Sequence, residues 1–173
     1  MCNVVIQDKY EIRPGEWMLV IMVIGPGGKM KVYQEEVVWG GSARVESKGY
    51  WKRQGGEEVV IPGVKRWGEL DEDLGKEEWE DVPPGKTLAG ILMPETTSRE
   101  GRHYRLLKVV TAPAAGKQLG RFEKDRAVAL VDDLPGIEFP HREARSPKPP
   151  PRVRPPPPEP IVKPEAATQG ELF

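Results

Sequence analysis

The sequence has one cysteine and two histidines among 173 residues, and this scarcity excludes several kinds of site. A single cysteine cannot form a disulfide within the chain, and it cannot build a cysteine-based zinc cluster. His103 and His141 lie far apart in the chain, so we expect no metal site and no cofactor. Such sparing use of cysteine is typical of a reducing compartment, which predicts a cytoplasmic location.

The chain also lacks a dominant charge and a long apolar run. Its net charge is −1, so any contact with nucleic acid must come from a local patch and not from a global basic field. The most apolar stretch, residues 17–24, is too short to cross a bilayer as a helix. Charged residues interrupt the start of the chain, where a signal peptide would need an apolar run. We therefore expect a soluble protein with no membrane partner.

Short apolar runs rich in Val, Ile and Leu are present instead, and turn residues separate them. They occupy residues 17–24, 29–39, 57–64, 87–93, 104–112 and 126–131. Runs of this length predict strands, and the first two should pair as a hairpin around the GPGG turn at 25–28. The fold class is α+β, mainly β: a compact curved or barrel-like mixed sheet with short helices, followed by a disordered Pro-rich tail.

Two segments do not fit the strand pattern. Residues 68–85 hold eight acidic side chains between Glu69 and Asp81 but few apolar positions. They predict an acidic surface loop with at most one helical turn. Residues 114–125 predict a second short helix.

The composition changes near Phe139, which marks a domain boundary. Residues 140–164 contain eleven of the nineteen prolines, a composition typical of extended polyproline II. We expect a folded domain over residues 1–138, a Pro-rich disordered linker over 139–168, and a docking peptide over 169–173. The last residues, QGELF, resemble the bacterial sliding-clamp-binding peptide, with Gln169 as the amide anchor and Leu172 and Phe173 as the apolar pair. The alternative is a frayed tail.

The only cysteine stands directly behind the initiator Met. Removal of Met1 would leave Cys2 with an α-amine and a thiol on neighbouring carbons, a pair that closes on aldehydes to give a thiazolidine ring. The plainer interpretation is that Cys2 is a small apolar residue that enters a strand.

The order of the short motifs resembles the SOS-response-associated peptidase (SRAP) family, whose members crosslink to abasic sites in DNA. The resemblance covers residues 2–133. The matching residues are Cys2; Tyr10, Ile12 and Pro14; Trp39 and Gly40; Ala43, Arg44 and Glu46; Ile61 and Pro62; Ala89, Gly90 and Ile91; Val110, Thr111 and Ala114; Asp125, Arg126, Val128 and Leu130.

The resemblance implies a monomeric, cytoplasmic and nucleoid-associated enzyme of the DNA damage (SOS) response. It would bind single-stranded DNA and form a thiazolidine crosslink at an abasic site through Cys2, after autoproteolytic removal of Met1. The implied catalytic residues are Cys2, Glu69, Ser42 and Asn3, and the implied DNA-binding residues are Arg44, Arg126, Trp39, Pro14 and Lys124. Each arginine could instead form a surface ion pair, and Trp39 could be a core aromatic.

The sequence departs from the family pattern at three of these positions. Ser42 replaces an Asn, and Lys124 stands where the family has a His. The catalytic Glu falls on Gly68 without a gap and on Glu69 with a one-residue shift. Two other functions therefore stay open: a non-catalytic DNA- or clamp-binding accessory protein, and an N-terminal-Cys amidohydrolase. If DNA binds at Cys2, the acidic segment should face away from it.

Overall fold

A computed structural model describes residues 2–18, 21–24, 30–33, 37–134 and 136–139. The predicted GPGG turn, nearly all of the Pro-rich segment and the peptide 169–173 lie outside these ranges. The chain is mainly β with short helices, which confirms the coarse fold prediction. Within these ranges the helices are α1 (Lys48–Arg53) and the 3₁₀ turns Val45–Ser47, Gly116–Gln118 and Glu123–Asp125. The segment predicted to hold a second short helix thus contains only 3₁₀ turns.

The strands form two sheets. They are β1 (Val4–Gln7), β2 (Tyr10–Ile12), β3 (Ile21–Ile24), β4 (Met30–Tyr33), β5 (Val37–Arg44), β6 (Glu57–Ile61), β7 (Val64–Asp71), β8 (Lys76–Asp81), β9 (Lys86–Thr97), β10 (His103–Pro113), β11 (Arg126–Val128) and β12 (Leu130–Asp132). The smaller sheet has the order β2-β1-β7-β8, and the larger one follows β11-β10-β9-β6-β3-β4, with β5 on β10 and β12 on β9. Because β5 runs parallel to β10, the larger sheet is mixed.

The larger sheet confirms the predicted hairpin, because β3 and β4 pair antiparallel. In the described ranges this sheet does not close on itself, so it is not a barrel. Ala129, between β11 and β12, forms backbone hydrogen bonds to both β9 and β10. Its N–H donates to Val110 O (2.9 Å), and its carbonyl accepts from Ala89 N–H (3.1 Å).

The acidic segment is a β-hairpin, so the prediction of a loop there was wrong. β7 pairs antiparallel with β8, with Gly68 opposite Trp79. Arg66 and Asp81 form an ion pair across the two strands (3.0 Å). At the turn, Asp71 Oδ1 accepts the Leu74 N–H (3.1 Å). Cross-strand pairs thus stabilise these strands, and the sparse apolar pattern of the segment could not indicate such pairing.

The main core contains side chains from both sheets. Alternation along β9 sends Leu88 and Leu92 into this core, while Ile91 faces the other side of the larger sheet. On that outer side a smaller cluster of Ala43, Ile91 and Val110 is covered partly by Trp51 of α1. The start of the chain lies at one end of the smaller sheet, where Asn3 N–H donates to Gly68 O of β7, and Cys2 is part of the main core there.

Candidate functional site

Cys2 enters β1 as part of the main core. Only 5% of its surface is exposed, and its thiol donates a long hydrogen bond to Val4 O (3.7 Å). Burial raises the pKa of the Cys2 thiol from its ordinary 9.0 to about 12. At neutral pH the sulfur is therefore a protonated thiol and a weak nucleophile.

Asn3 fixes the start of the chain to β7. Its side-chain amide donates to Leu70 O (2.7 Å) and its amide oxygen accepts the Leu70 N–H (2.8 Å). The Asn3 backbone N–H also donates to Gly68 O (3.0 Å). Asn3 thus extends the β1–β7 ladder by its side chain and sets the position of Cys2 beside it.

Glu69 connects this end of the smaller sheet to a distant part of the chain. Glu69 as a whole is 8% exposed, and its Oε1 accepts the backbone N–H of Glu123 (2.9 Å). Phe122 packs on Trp67 with ring centroids 4.3 Å apart, which holds the turn Glu123–Asp125 in place. Lys124, the middle residue of that turn, is exposed and has a left-handed backbone (φ 57°). The structure therefore brings together Asn3, Glu69 and the Lys124 turn. Cys2 directly precedes Asn3, but its side chain is buried in the main core.

A cavity of about 560 Å³ opens beside Asn3 and Glu69. Its other walls are Glu123 and the β7–β8 hairpin, including Asp71, Glu72, Asp73 and Lys76. The expectation that the acidic segment faces away from the site is therefore wrong. A DNA phosphate placed here would meet several carboxylates and one lysine, which is an unfavourable arrangement.

Arg126, a candidate phosphate ligand, is buried and bound to other side chains. Its guanidinium makes a bidentate pair with Glu46 (2.8 and 2.9 Å). It also donates to Thr111 O (2.9 Å) and to the Thr111 hydroxyl (3.3 Å). Arg44, which is exposed, lies opposite Thr111 in the β5–β10 register. The two candidate arginines thus flank one residue, but only Arg44 is exposed to solvent.

The Arg126–Glu46 pair should make the fold sensitive to acid. The Arg126 hydrogen bonds lower the pKa of Glu46 from its ordinary 4.5 to about 2. Because this pKa is depressed, the pair contributes stability above about pH 4.5, and the contribution is lost as the pH falls towards 2. We expect wild type to be more thermostable than Glu46→Gln at pH 6 and the difference to vanish near pH 2. Melting curves from pH 2 to 6 test this, with Glu100→Gln as a surface control that should follow wild type throughout.

Trp39 and Pro14, the candidate wedge residues, are joined through the backbone. Gly15 N–H donates to Trp39 O (2.8 Å), and Trp39 N–H donates to Glu16 O (3.0 Å). The Trp39 indole is fully buried and donates to Gly41 O (2.9 Å). It would have to leave the core to separate bases. Pro14 is half-buried in the turn before this contact.

Ser42 lies apart from the cluster around Cys2. It is on β5 of the larger sheet, opposite Val109 of β10. Sequence reasoning missed Glu123 and the Trp67–Phe122 contact, which position the turn over Glu69. The resemblance indicated this part of the chain through the neighbouring Asp125 and Arg126. It gave no sign that Phe122 packs on Trp67.

The described ranges also bear on metal binding and on membrane spans. No group of His, Cys, Asp and Glu there has an arrangement that could hold a metal ion. No helix there combines the length and the apolar content needed to cross a bilayer. In comparisons with known proteins, no protein-family model, no curated protein and no solved structure matches the chain.

Proposed function

We propose that this protein recognises abasic sites in single-stranded DNA and crosslinks to them through Cys2. One observation carries the proposal. Asn3, Glu69 and Glu123 come from three separate segments and line one open cavity at the end of the smaller sheet, and Cys2 directly precedes Asn3. A cysteine with a structural role alone does not require a buried carboxylate and an open cavity next to the start of the chain.

In this proposal Met1 is removed and the amine of Cys2 reacts first, because the thiol is protonated. The amine adds to the open-chain aldehyde of the lesion, and loss of water gives an imine. The thiol then adds across the C=N bond: sulfur bonds to carbon, and its proton ends on nitrogen. Glu69 is the acid and base that moves protons during loss of water. Asn3 positions Cys2 by holding β1 against β7.

The test uses the full chain with an oligonucleotide that carries one abasic site. After heating in detergent, wild type should give a shifted band, and an undamaged oligonucleotide should give none. Cys2→Ala should give no heat-stable band, although a reductant that traps imines should still capture it through its amine. A version with extra residues before Cys2 is the matched control, because it keeps the thiol but lacks the α-amine. A heat-stable band of equal strength from Cys2→Ala contradicts the proposal.

A second candidate is a non-catalytic DNA- or clamp-binding accessory protein. The observation that favours it is the combination of a buried thiol of raised pKa with a cavity walled by carboxylates. In that case wild type with Met1 removed binds single-stranded DNA but forms no covalent band. In either case Gln169, Leu172 and Phe173 remain a predicted clamp-docking peptide, because they lie outside the described residues.

A further inference from the structure

Helix α1 places aromatic and basic side chains together on the outer side of the larger sheet. Its sequence is KGYWKR. Tyr50 is 50% exposed, and its ring meets the edge of Trp51 at a centroid distance of 5.0 Å. The Lys108 ammonium, from β10, lies 4.6 Å from the Trp51 ring centroid. Cations therefore lie around the exposed Tyr50 and the half-buried Trp51. We name this surface, made of Tyr50, Trp51, Lys52, Arg53 and Lys108, the α1 patch.

Basic side chains predominate in the α1 patch. Glu58 binds both Lys48 (2.6 Å) and Lys52 (2.8 Å), so one carboxylate balances two ammonium groups. Arg53 is exposed and adds a further cation. Lys108 is half-buried, and its ammonium donates to Gly40 O (3.5 Å). The β7–β8 hairpin of the smaller sheet has the opposite character. The near-zero net charge of the chain thus conceals a basic region and an acidic region.

A second cavity, of about 220 Å³, opens next to the α1 patch. Its lining includes Val45, Val60, Ala89, Ile91 and Leu130, with Lys48 and Glu58 among the wall residues. An apolar slot with a lysine at its wall suits a flat, uncharged ring attached to an anionic backbone. A carboxylate-rich peptide could use the cations, but its carboxylates would gain nothing from the apolar slot or from the exposed Tyr50 ring.

We infer that the α1 patch binds single-stranded nucleic acid. The phosphates lie against Lys52, Arg53 and Lys108, one base stacks on Tyr50, and a neighbouring base enters the apolar slot. Aromatic platforms beside cations are the usual means of holding single strands without sequence preference. The inference rests on the nucleic-acid part of the proposed function. It places the undamaged part of the strand on the larger sheet, so that only the abasic nucleotide has to approach Cys2 and the acidic cavity beside Asn3.

The experiment measures binding of a labelled, undamaged oligonucleotide to the full chain by fluorescence anisotropy, so it does not depend on Cys2 chemistry. Lys52→Glu/Arg53→Glu should weaken binding at least tenfold at low salt and reduce its dependence on salt. Lys65→Glu/Lys117→Glu, which changes the net charge equally at exposed positions outside the α1 patch, should change affinity less than twofold. Tyr50→Ala should weaken binding about fivefold or more without altering the salt dependence. Melting temperatures show that each variant is folded.

Three results would overturn the inference: no binding by wild type, an equal loss in the two double variants, or competition by polyglutamate as strong as that by an unlabelled oligonucleotide. The last result would mean a general anion-binding face or a site for an acidic protein. Binding that depends on the α1 patch, without any crosslink, would leave this inference standing and remove the proposed chemistry. A crosslink unaffected by the α1 patch variants would do the reverse.

Discussion

Glu69→Gln should crosslink to an abasic oligonucleotide about a hundredfold or more slowly than wild type, while its affinity for undamaged single strands stays unchanged. A positioned acid or base contributes about 10²–10⁴ in rate, and a glutamine cannot supply or accept the proton. The fold should survive, because the amide oxygen of glutamine can still accept the Glu123 N–H that Glu69 accepts now (2.9 Å). Single-turnover band formation, sampled over minutes to hours, gives the rate.

The matched control is Glu100→Gln, the same exchange at an exposed turn position. Its rate should equal that of wild type. If Glu69→Gln keeps its rate within twofold, Glu69 has no part in proton transfer. If it loses DNA affinity in proportion to rate, Glu69 acts on binding and not on chemistry. Either result would require a different acid and base, and the role assigned to Glu69 would be withdrawn.

Gly68→Ala should lower the free energy of unfolding by about 1–3 kcal/mol, the usual cost of overpacking. A Cβ at Gly68 would lie 2.7 Å from the backbone oxygen of Glu78 and 3.1 Å from the Trp79 ring, so β7 and β8 would have to separate. Gly68→Glu should cost more than the alanine, because it also places a carboxylate at a buried position within an acidic hairpin. Urea unfolding measures both changes.

This second prediction also decides between two alignments. The ungapped resemblance places the family's catalytic Glu at Gly68, and the shifted one places it at Glu69. If position 68 were the catalytic one, Gly68→Glu would speed crosslinking; we expect it to unfold the hairpin instead. Gly49→Ala is the control, since a Cβ there meets only the end of the Arg53 side chain at 3.4 Å. Within a helix this exchange should be neutral or stabilise by up to about 1 kcal/mol.

The sequence was sufficient for elements that its own apolar pattern specifies. β9 and β10 were predicted because runs such as TLAGILM and YRLLKVVTA are apolar enough to be buried whatever their neighbours. β8 was not, because KEEWED has one apolar residue and becomes a strand through its pairing with β7. Helix α1 was missed for a similar reason, since six residues with two aromatics have no helical period.

The candidate site divides in the same way. The resemblance selected Cys2, Asn3 and Glu69, and the fold places Asn3 and Glu69 on one cavity. It could not show that Arg126 is occupied by Glu46, because that contact spans 80 positions of sequence and depends on how β11 meets β10. The acidic wall of the cavity was missed because its strand character was missed. A loop would have no fixed orientation, whereas pairing with β7 holds β8 and the hairpin turn beside the cavity.

The burial of Cys2 has a consequence for the order of events during synthesis. The core around it is completed by Phe122, Ala127 and Val128, near the end of the folded part of the chain. Ribosomes add about 5–20 residues per second, so about 6–24 s separate the synthesis of Cys2 from that of Phe122. An aminopeptidase would have that interval to remove Met1 before the fold closes over its neighbour. If an aminopeptidase removes Met1, and the chain does not remove it autoproteolytically, the share of molecules able to react would thus be set during translation.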